Sequence, residues 1–199
     1  MQYLPFEEGI EVNGRTVWAV VDGFSAHGLL ASEYLLAEGI GEKSADGMAS
    51  INKGSWYSQE AWLRAFARIG DRVGDAVLFR IGLTIPSNAR FPEGVKGLHE
   101  AIRSIDVAYH MNHRKNGRAL YDADTRAMTE GIGHYRFEPV AGQKVILVRC
   151  RNPYPCAFDR GLITALAQMH EGTSLVEHDD SQPCRAQGAD ECTYRVSWR

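Results

Sequence analysis

Apolar positions recur at helical spacing in the first two thirds of the chain and at strand spacing mainly in the last third, and that change sets the expected elements. Near the start, Glu11-Val12-Asn13-Gly14-Arg15-Thr16-Val17-Trp18 alternates up to Val21, and Asn13-Gly14 is a turn signal, so a hairpin or the beginning of a strand is expected. Ser25 is placed to cap a helix running through Leu36 and stopping at Gly39. From Ser58, Trp62, Ala65, Phe66, Ile69 and Val73 share one stripe of a helix that Gly74 breaks. Asp75 then caps a second apolar segment, Ala76 to Ile85, ending before Pro86; being apolar on more than one side, it should be buried. A longer helix is predicted from Pro92, a favoured first helical position, with Val95, Leu98, Ile102, Ile105 and Tyr109 inward as far as Asn116-Gly117. The tract from Arg118 to Gly133 follows neither period.

Beyond it, Tyr135 to Val140 and Lys144 to Cys150 read as two strands joined at Ala141-Gly142-Gln143, with β-branched residues concentrated in the second. Asp159 is expected to cap a helix with Leu162, Ile163, Leu166 and Met169 inward, ended by Gly172. After Thr173 to His178 and a loop, Cys192, Tyr194, Val196 and Trp198 alternate with Thr193, Arg195, Ser197 and Arg199, which buries one face of a final strand with Cys192 on it. No repeat, low-complexity stretch or Pro/Ser-rich linker interrupts this order. The expected fold class is α+β: N-terminal helices packed on a C-terminal antiparallel sheet, in one domain spanning residues 1–199.

Composition narrows the function classes. At 199 residues and 44% hydrophobic, the chain can bury one sizeable core. A formal net charge of -3 provides no broad electropositive surface, which argues against direct nucleic-acid binding. No stretch approaches roughly 18 consecutive apolar residues and the first residues do not read as a leader, so a cytoplasmic protein without a membrane segment is expected. In that compartment cysteines stay reduced, and a group of them points to metal binding or redox chemistry before disulfides.

Cys150, Cys156, Cys184 and Cys192 all fall in about the last quarter of the chain. The loop from Cys184 to Cys192, with Gly188 in its middle, can return both sulfurs to one ion, since zinc requires only that its ligands close a tetrahedron about 2.3 Å away. Cys156 precedes the expected cap Asp159 by three residues, near a helix N-terminus that favours a thiolate. The alternative is that these are small buried hydrophobes, as free cysteines often are.

The tail Cys184-Arg185-Ala186-Gln187-Gly188-Ala189-Asp190-Glu191-Cys192-Thr193-Tyr194, and the segment Asn152-Pro153-Tyr154-Pro155-Cys156-Ala157-Phe158-Asp159-Arg160-Gly161 before it, resemble the end of 4-vinyl-reductase domains. The resemblance covers about the last 70 residues and implies the ligand-binding fold of NO signalling and Golgi transport. In the related sensor domains of phenol-responsive activators, three such cysteines and a carboxylate hold a structural zinc, which implies Zn²⁺ on Cys156, Cys184 and Cys192 here. The carboxylate has no matching motif. Cys150 is the candidate replacement, with Glu138, His134 and His178 as further possibilities.

His110 and His113, three apart near the end of the long predicted helix, can bind a metal or haem, or donate to a phenol or carboxylate; helix-end histidines also commonly bond the last carbonyls. In the sensor relatives a histidine and a tryptophan orient an aromatic effector, a part that His110 or His113 could take, with Trp56 and Trp62 lining the same cavity. A tryptophan on an amphipathic helix is more often simply core. Nucleophile elbow, phosphate loop, zinc-protease and dinucleotide motifs are all absent.

Three readings follow. The first is a sensor or carrier for a small hydrophobic or aromatic molecule, homodimeric and passing its signal to a separate protein partner. The second is an enzyme or haem protein, either a tetrapyrrole-related reductase or a haem site on His110 or His113. The third is a protein-interaction module without metal.

Overall fold

A computed structural model describes residues 2–24 and 27–199. Among these residues there are six α-helices and ten short strands, and the strands fall into three antiparallel sheets. The coarse expectation of mixed helices and antiparallel sheet holds, with a small N-terminal sheet that the sequence pattern did not disclose.

The opening departs most from expectation. Strand β1 (Ile10–Asn13) stops at the Asn-Gly pair, but the chain does not turn back: the Asn13 side chain accepts a hydrogen bond from the Arg15 N–H at 2.9 Å and caps helix α1 (Gly14–Gly23). Thr16, Val17, Ala19 and Val20 are the buried set, which is one helical stripe and not an alternating strand face. Helix α2 (Gly28–Ala37) follows; its expected cap, Ser25, lies outside the described residues.

Strands β2 (Glu42–Lys43) and β3 (Ala49–Ser50) make a minor pair, and β4 (Trp56–Ser58) leads into helix α3 (Gln59–Val73), where the Ser58 hydroxyl accepts from the Ala61 N–H. Helix α4 (Asp75–Asn88) runs through Pro86 where a stop was expected, because only its final turn follows and just one backbone bond is lost. Helix α5 (Gly97–Met111) begins later than Pro92, since Gly94 and Gly97 adopt φ of 75° and 69° and hold the intervening residues out of the helix. It also ends earlier: His113 opens strand β5 (His113–Lys115), which with β6 (Arg118–Ala119) completes the small sheet β4-β1-β5-β6.

The main sheet runs β7-β8-β10-β9, all antiparallel: β7 (His134–Pro139), β8 (Val145–Arg151), β10 (Cys192–Ser197) and β9 (Leu175–His178). Its register places Tyr135 opposite Cys150, and Cys150 opposite Cys192, in one cross-strand row. Helix α6 (Cys156–His170) connects β8 to β9 and packs against α4 and α5. The α4/α6 crossing is close because Gly82 and Gly161 face each other: a Cβ on Gly161 would overlap the Phe79 carbonyl, and one on Gly82 the Phe158 carbonyl. Among the described residues, no helix is long and apolar enough to cross a membrane.

Candidate ligand cavity and cysteine cluster

Two strands of the main sheet, the loop between them and the start of α6 converge on one point. Cys156 is the first residue of α6, with Pro155 as the N-cap; Asp159, the expected cap, lies inside the first turn instead. Proline at the cap presets the backbone, so the helix starts four residues early and puts the Cys156 sulfur at its positive end. Cys192 opens β10 and His178 closes β9. Cys184 precedes a 3₁₀ turn, Arg185–Gln187, where its carbonyl accepts from the Gln187 and Ala189 N–H groups at 2.9 and 3.1 Å, and Gly188 at φ 90° makes the return.

The sulfurs stand 3.2 Å (Cys156 to Cys192), 3.5 Å (Cys156 to Cys184) and 3.7 Å (Cys184 to Cys192) apart, and a ring nitrogen of His178 lies within 4.8 Å of all three. Sulfurs bound at about 2.3 Å to one tetrahedral zinc are about 3.8 Å apart, whereas a disulfide needs about 2.05 Å. The Nδ1 of His178 pairs with Asp180 at 2.7 Å, while its Nε2 is buried next to Cys192 without a partner at hydrogen-bond geometry. Three thiols and an imidazole are a donor set that zinc takes in closed structural sites.

The electrostatics favour a thiolate. The Cys192 thiol is lowered to about 3, first by the hydrogen bond from Cys156, then by the Arg185 guanidinium and backbone N–H and by His178. Cys156 moves up, because it holds the proton it shares with Cys192 and is also desolvated.

Cys150, the expected fourth ligand, is not in this group. It stands on the middle strand of the cross-strand row between Tyr135 and Cys192, fully buried, and burial pushes its thiol up. His178, on the edge strand and diagonal to Cys192, occupies the place proposed for it.

Behind the cluster is a buried ion pair that the sequence did not announce. Arg185, fully buried, donates its backbone N–H and Nε–H to the Cys192 sulfur at 3.3 and 3.4 Å, and its guanidinium reaches the Asn152 carbonyl oxygens and the Asp159 carboxylate. Asp159 also accepts from the Tyr135 hydroxyl at 2.6 Å and the Asn152 amide at 3.0 Å. Burial pushes the Asp159 carboxyl up, and Arg185, Tyr135 and Asn152 oppose that by favouring its charged form.

Tyr135 is also a wall of a cavity between α4, α5, α6 and the sheet. The cavity has a volume of about 40 Å³, within about 410 Å³ of empty space that includes open solvent, and its lining is almost wholly apolar, with Ile85, Ile105, Tyr109, Tyr135, Tyr154 and Phe158 among its residues. His113 lines it, but both ring nitrogens are engaged: Nδ1 with the Tyr109 carbonyl at 2.7 Å and Nε2 with the Tyr154 hydroxyl at 2.9 Å. Burial lowers His113 to about 4, so the ring is neutral at ordinary pH. Gln59 and the Trp62 indole N–H lie beside Tyr154, buried and without a partner at hydrogen-bond geometry.

The other residues singled out for ligand binding are elsewhere. Trp62 stacks on Phe66 at 5.0 Å within the core, next to the cavity but behind its lining. Trp56 lies on the small sheet under the Arg114 guanidinium, and His110 is buried against His134, so neither lines the cavity. Tyr135, Tyr154 and Asp159 were not foreseen; only their apolar or helix-cap context was visible in the sequence.

No protein-family model and no curated protein matches the chain. Solved structures do. An H-NOX protein from S. oneidensis in the Fe(II)NO ligation state superposes with a TM-score of 0.55 at 15% identity, covering 94% of this chain and 99% of that one. An oxygen-binding H-NOX domain related to soluble guanylate cyclases gives 0.56 at 14% identity, with 94% and 95% covered. An H-NOX structure concerned with haem distortion gives 0.58 at 14%, again with 94% and 95% covered. The chain therefore resembles the H-NOX fold.

Proposed function

We propose that the chain is a sensor or carrier module for a small, largely apolar aromatic molecule, stabilised by a structural zinc on Cys156, Cys184, Cys192 and His178. The observation that carries the reading is the aromatic cavity, whose lining includes Tyr154 and His113, hydrogen-bonded to each other at 2.9 Å. A mostly apolar lining with a few convergent polar groups is what small-molecule sites have in common. Support for the metal comes from the sulfur separations and from His178, whose buried Nε2 has no hydrogen-bond partner and whose ring places a nitrogen within 4.8 Å of all three sulfurs. Zinc there would tie the start of α6 to the last two strands, contributing to stability and not to chemistry. The 4-vinyl-reductase resemblance of the tail extends the proposal to a homodimer with a separate output protein.

The fold neighbours raise haem as the competing occupant, and the residues present do not fit it. An axial ligand needs an imidazole nitrogen free and facing the cavity, and the one histidine in the lining has both nitrogens hydrogen-bonded. A colourless protein without a Soret band is therefore expected.

The test is calorimetric titration of phenol and of indole into the untagged protein, repeated on Ala89→Phe, which puts a ring at the half-buried side of the cavity. Saturable binding lost in the variant is expected. Absence of binding by any apolar probe, or a Soret band in the purified chain, would overturn the reading.

A further inference from the structure

A second group of donors lies apart from the cysteines, at the seam between α5 and β7. Asp106 and His110 are one turn apart on α5, and His134 opens β7; one ligand atom from each lies within 4.8 Å of the others. The His134 Nδ1 meets the Asp106 carboxylate at 3.0 Å, and its Nε2 meets Glu130 at 3.1 Å. Asp106 is already held, its Oδ1 accepting the Tyr135 N–H at 2.9 Å.

A hydrogen-bonded carboxylate–histidine pair would account for Asp106 and His134 but not for His110. That ring is sealed from solvent, its Nδ1 sits 2.8 Å from the Asp106 carbonyl, and its Nε2 has no partner. Donation from Nδ1 to a backbone carbonyl is how metal-binding histidines are commonly oriented, leaving the Nε2 lone pair to the ion. The two imidazoles lie 5.0 Å apart at 32°, an arrangement that is costly if both are protonated. The group offers two imidazoles and two carboxylates.

We infer that Asp106, His110 and His134, with the exposed Glu130 as an additional donor, form a second cation site, for a first-row divalent ion such as zinc, manganese or iron(II). Nitrogen and carboxylate donors in this number suit those ions; calcium prefers six or more oxygens, and soft monovalent copper prefers sulfur. The site is one residue from Tyr109 and Tyr135, whose rings meet at 5.3 Å in the cavity wall, so an ion would fix that wall as well as the seam.

Cobalt(II) alone is a suitable probe, since it reports its donors by absorption. The untagged full chain is stripped with a chelator and titrated. Two equivalents are expected: one with intense sulfur-to-metal charge transfer from the cysteine cluster, the other with only weak visible bands. His134→Gln and Glu130→Gln should each weaken the second equivalent, His134→Gln by at least about tenfold, and leave the first intact. Cys184→Ser should do the reverse, so failure of the cysteine site and failure of this one are separable. A single, purely sulfur-type equivalent, or a weak-band equivalent unchanged in both the His134 and Glu130 variants, would overturn the inference.

Discussion

Arg185 has no route to water, and its charge is answered within the protein by Asp159 and by the Cys192 sulfur. A buried pair of this kind adds little net stability over an apolar substitute, yet removing one member strands the other. Arg185→Met is expected to lose about 3–5 kcal/mol in urea unfolding, and Arg185→Met/Asp159→Asn to lose clearly less than the sum of its single changes. Additive losses would mean that the two side chains do not act as a pair. His113 makes a pH prediction with the opposite chemistry. Its folded value, about 4, is below the ordinary histidine value of 6.5, so the unfolded chain takes up the proton first. The stability this neutral ring confers is complete above 6.5 and is lost as pH falls from there towards 4, on the order of 3 kcal/mol in all. The groups that face it are the Tyr109 carbonyl, the Tyr154 hydroxyl and His110, and none is an anion that would retain a proton on it. His134, raised by Asp106 and Glu130 against its burial, works the other way and stabilises on the acid side. The His113 contribution is therefore read as the difference between wild type and His113→Gln across that range; a pH-independent difference would sink the assignment.

Among the elements, the α4/α6 crossing is the most exacting contact. Gly161→Ala places a methyl group into the Phe79 carbonyl, where backbone and not a flexible side chain must give way, so a loss of about 1–3 kcal/mol or more is expected in denaturant unfolding. Gly172→Ala, at a glycine with open space around its Cβ position, is the control and should cost much less. Elements whose cue was local were legible in the sequence. Ser58 and Gly74 bracket α3, and the β-branched run of β8 falls where its composition put it. Elements decided by long-range contact were not. Asn13-Gly14 is a turn signal in isolation, but the Asn13 N–H bonds the Asn112 carbonyl and the Gly14 N–H bonds the Ser55 carbonyl, and those partners make the pair a helix start. The same holds for the cysteines. Cys184, Gly188 and Cys192 announce a returning loop by spacing, whereas the placement of His178 and not Cys150 beside the three sulfurs depends on strand order, since β9 pairs with β10 on the side away from β8. His110 and His113 look alike in sequence, and only the end of α5 before His113 separates the cavity residue from the seam residue.

At the scale of the whole molecule, the cysteine cluster and the cavity are ends of one buried path. Cys192 accepts from Arg185, Arg185 holds Asp159, Asp159 accepts from Tyr135, and the Tyr135 ring is a wall of the cavity. An ion on the cluster would take the Cys192 charge that Arg185 now answers and shift the balance of Arg185 towards Asp159, which fixes the Tyr135 hydroxyl and so its ring. Coupling between two sites is reciprocal, so a metal that orders the wall for a ligand must itself be held more tightly when the ligand is bound. Indole titrated into zinc-loaded protein should then bind more tightly than into chelator-stripped protein, by a factor within the usual range of about 5–150. Tyr135→Phe keeps the ring and removes the hydroxyl, so it should retain zinc affinity and indole binding while bringing the two affinities for indole together. Equal indole affinity in loaded and stripped wild-type protein would reduce the path to a structural support, with the cluster and the cavity acting separately.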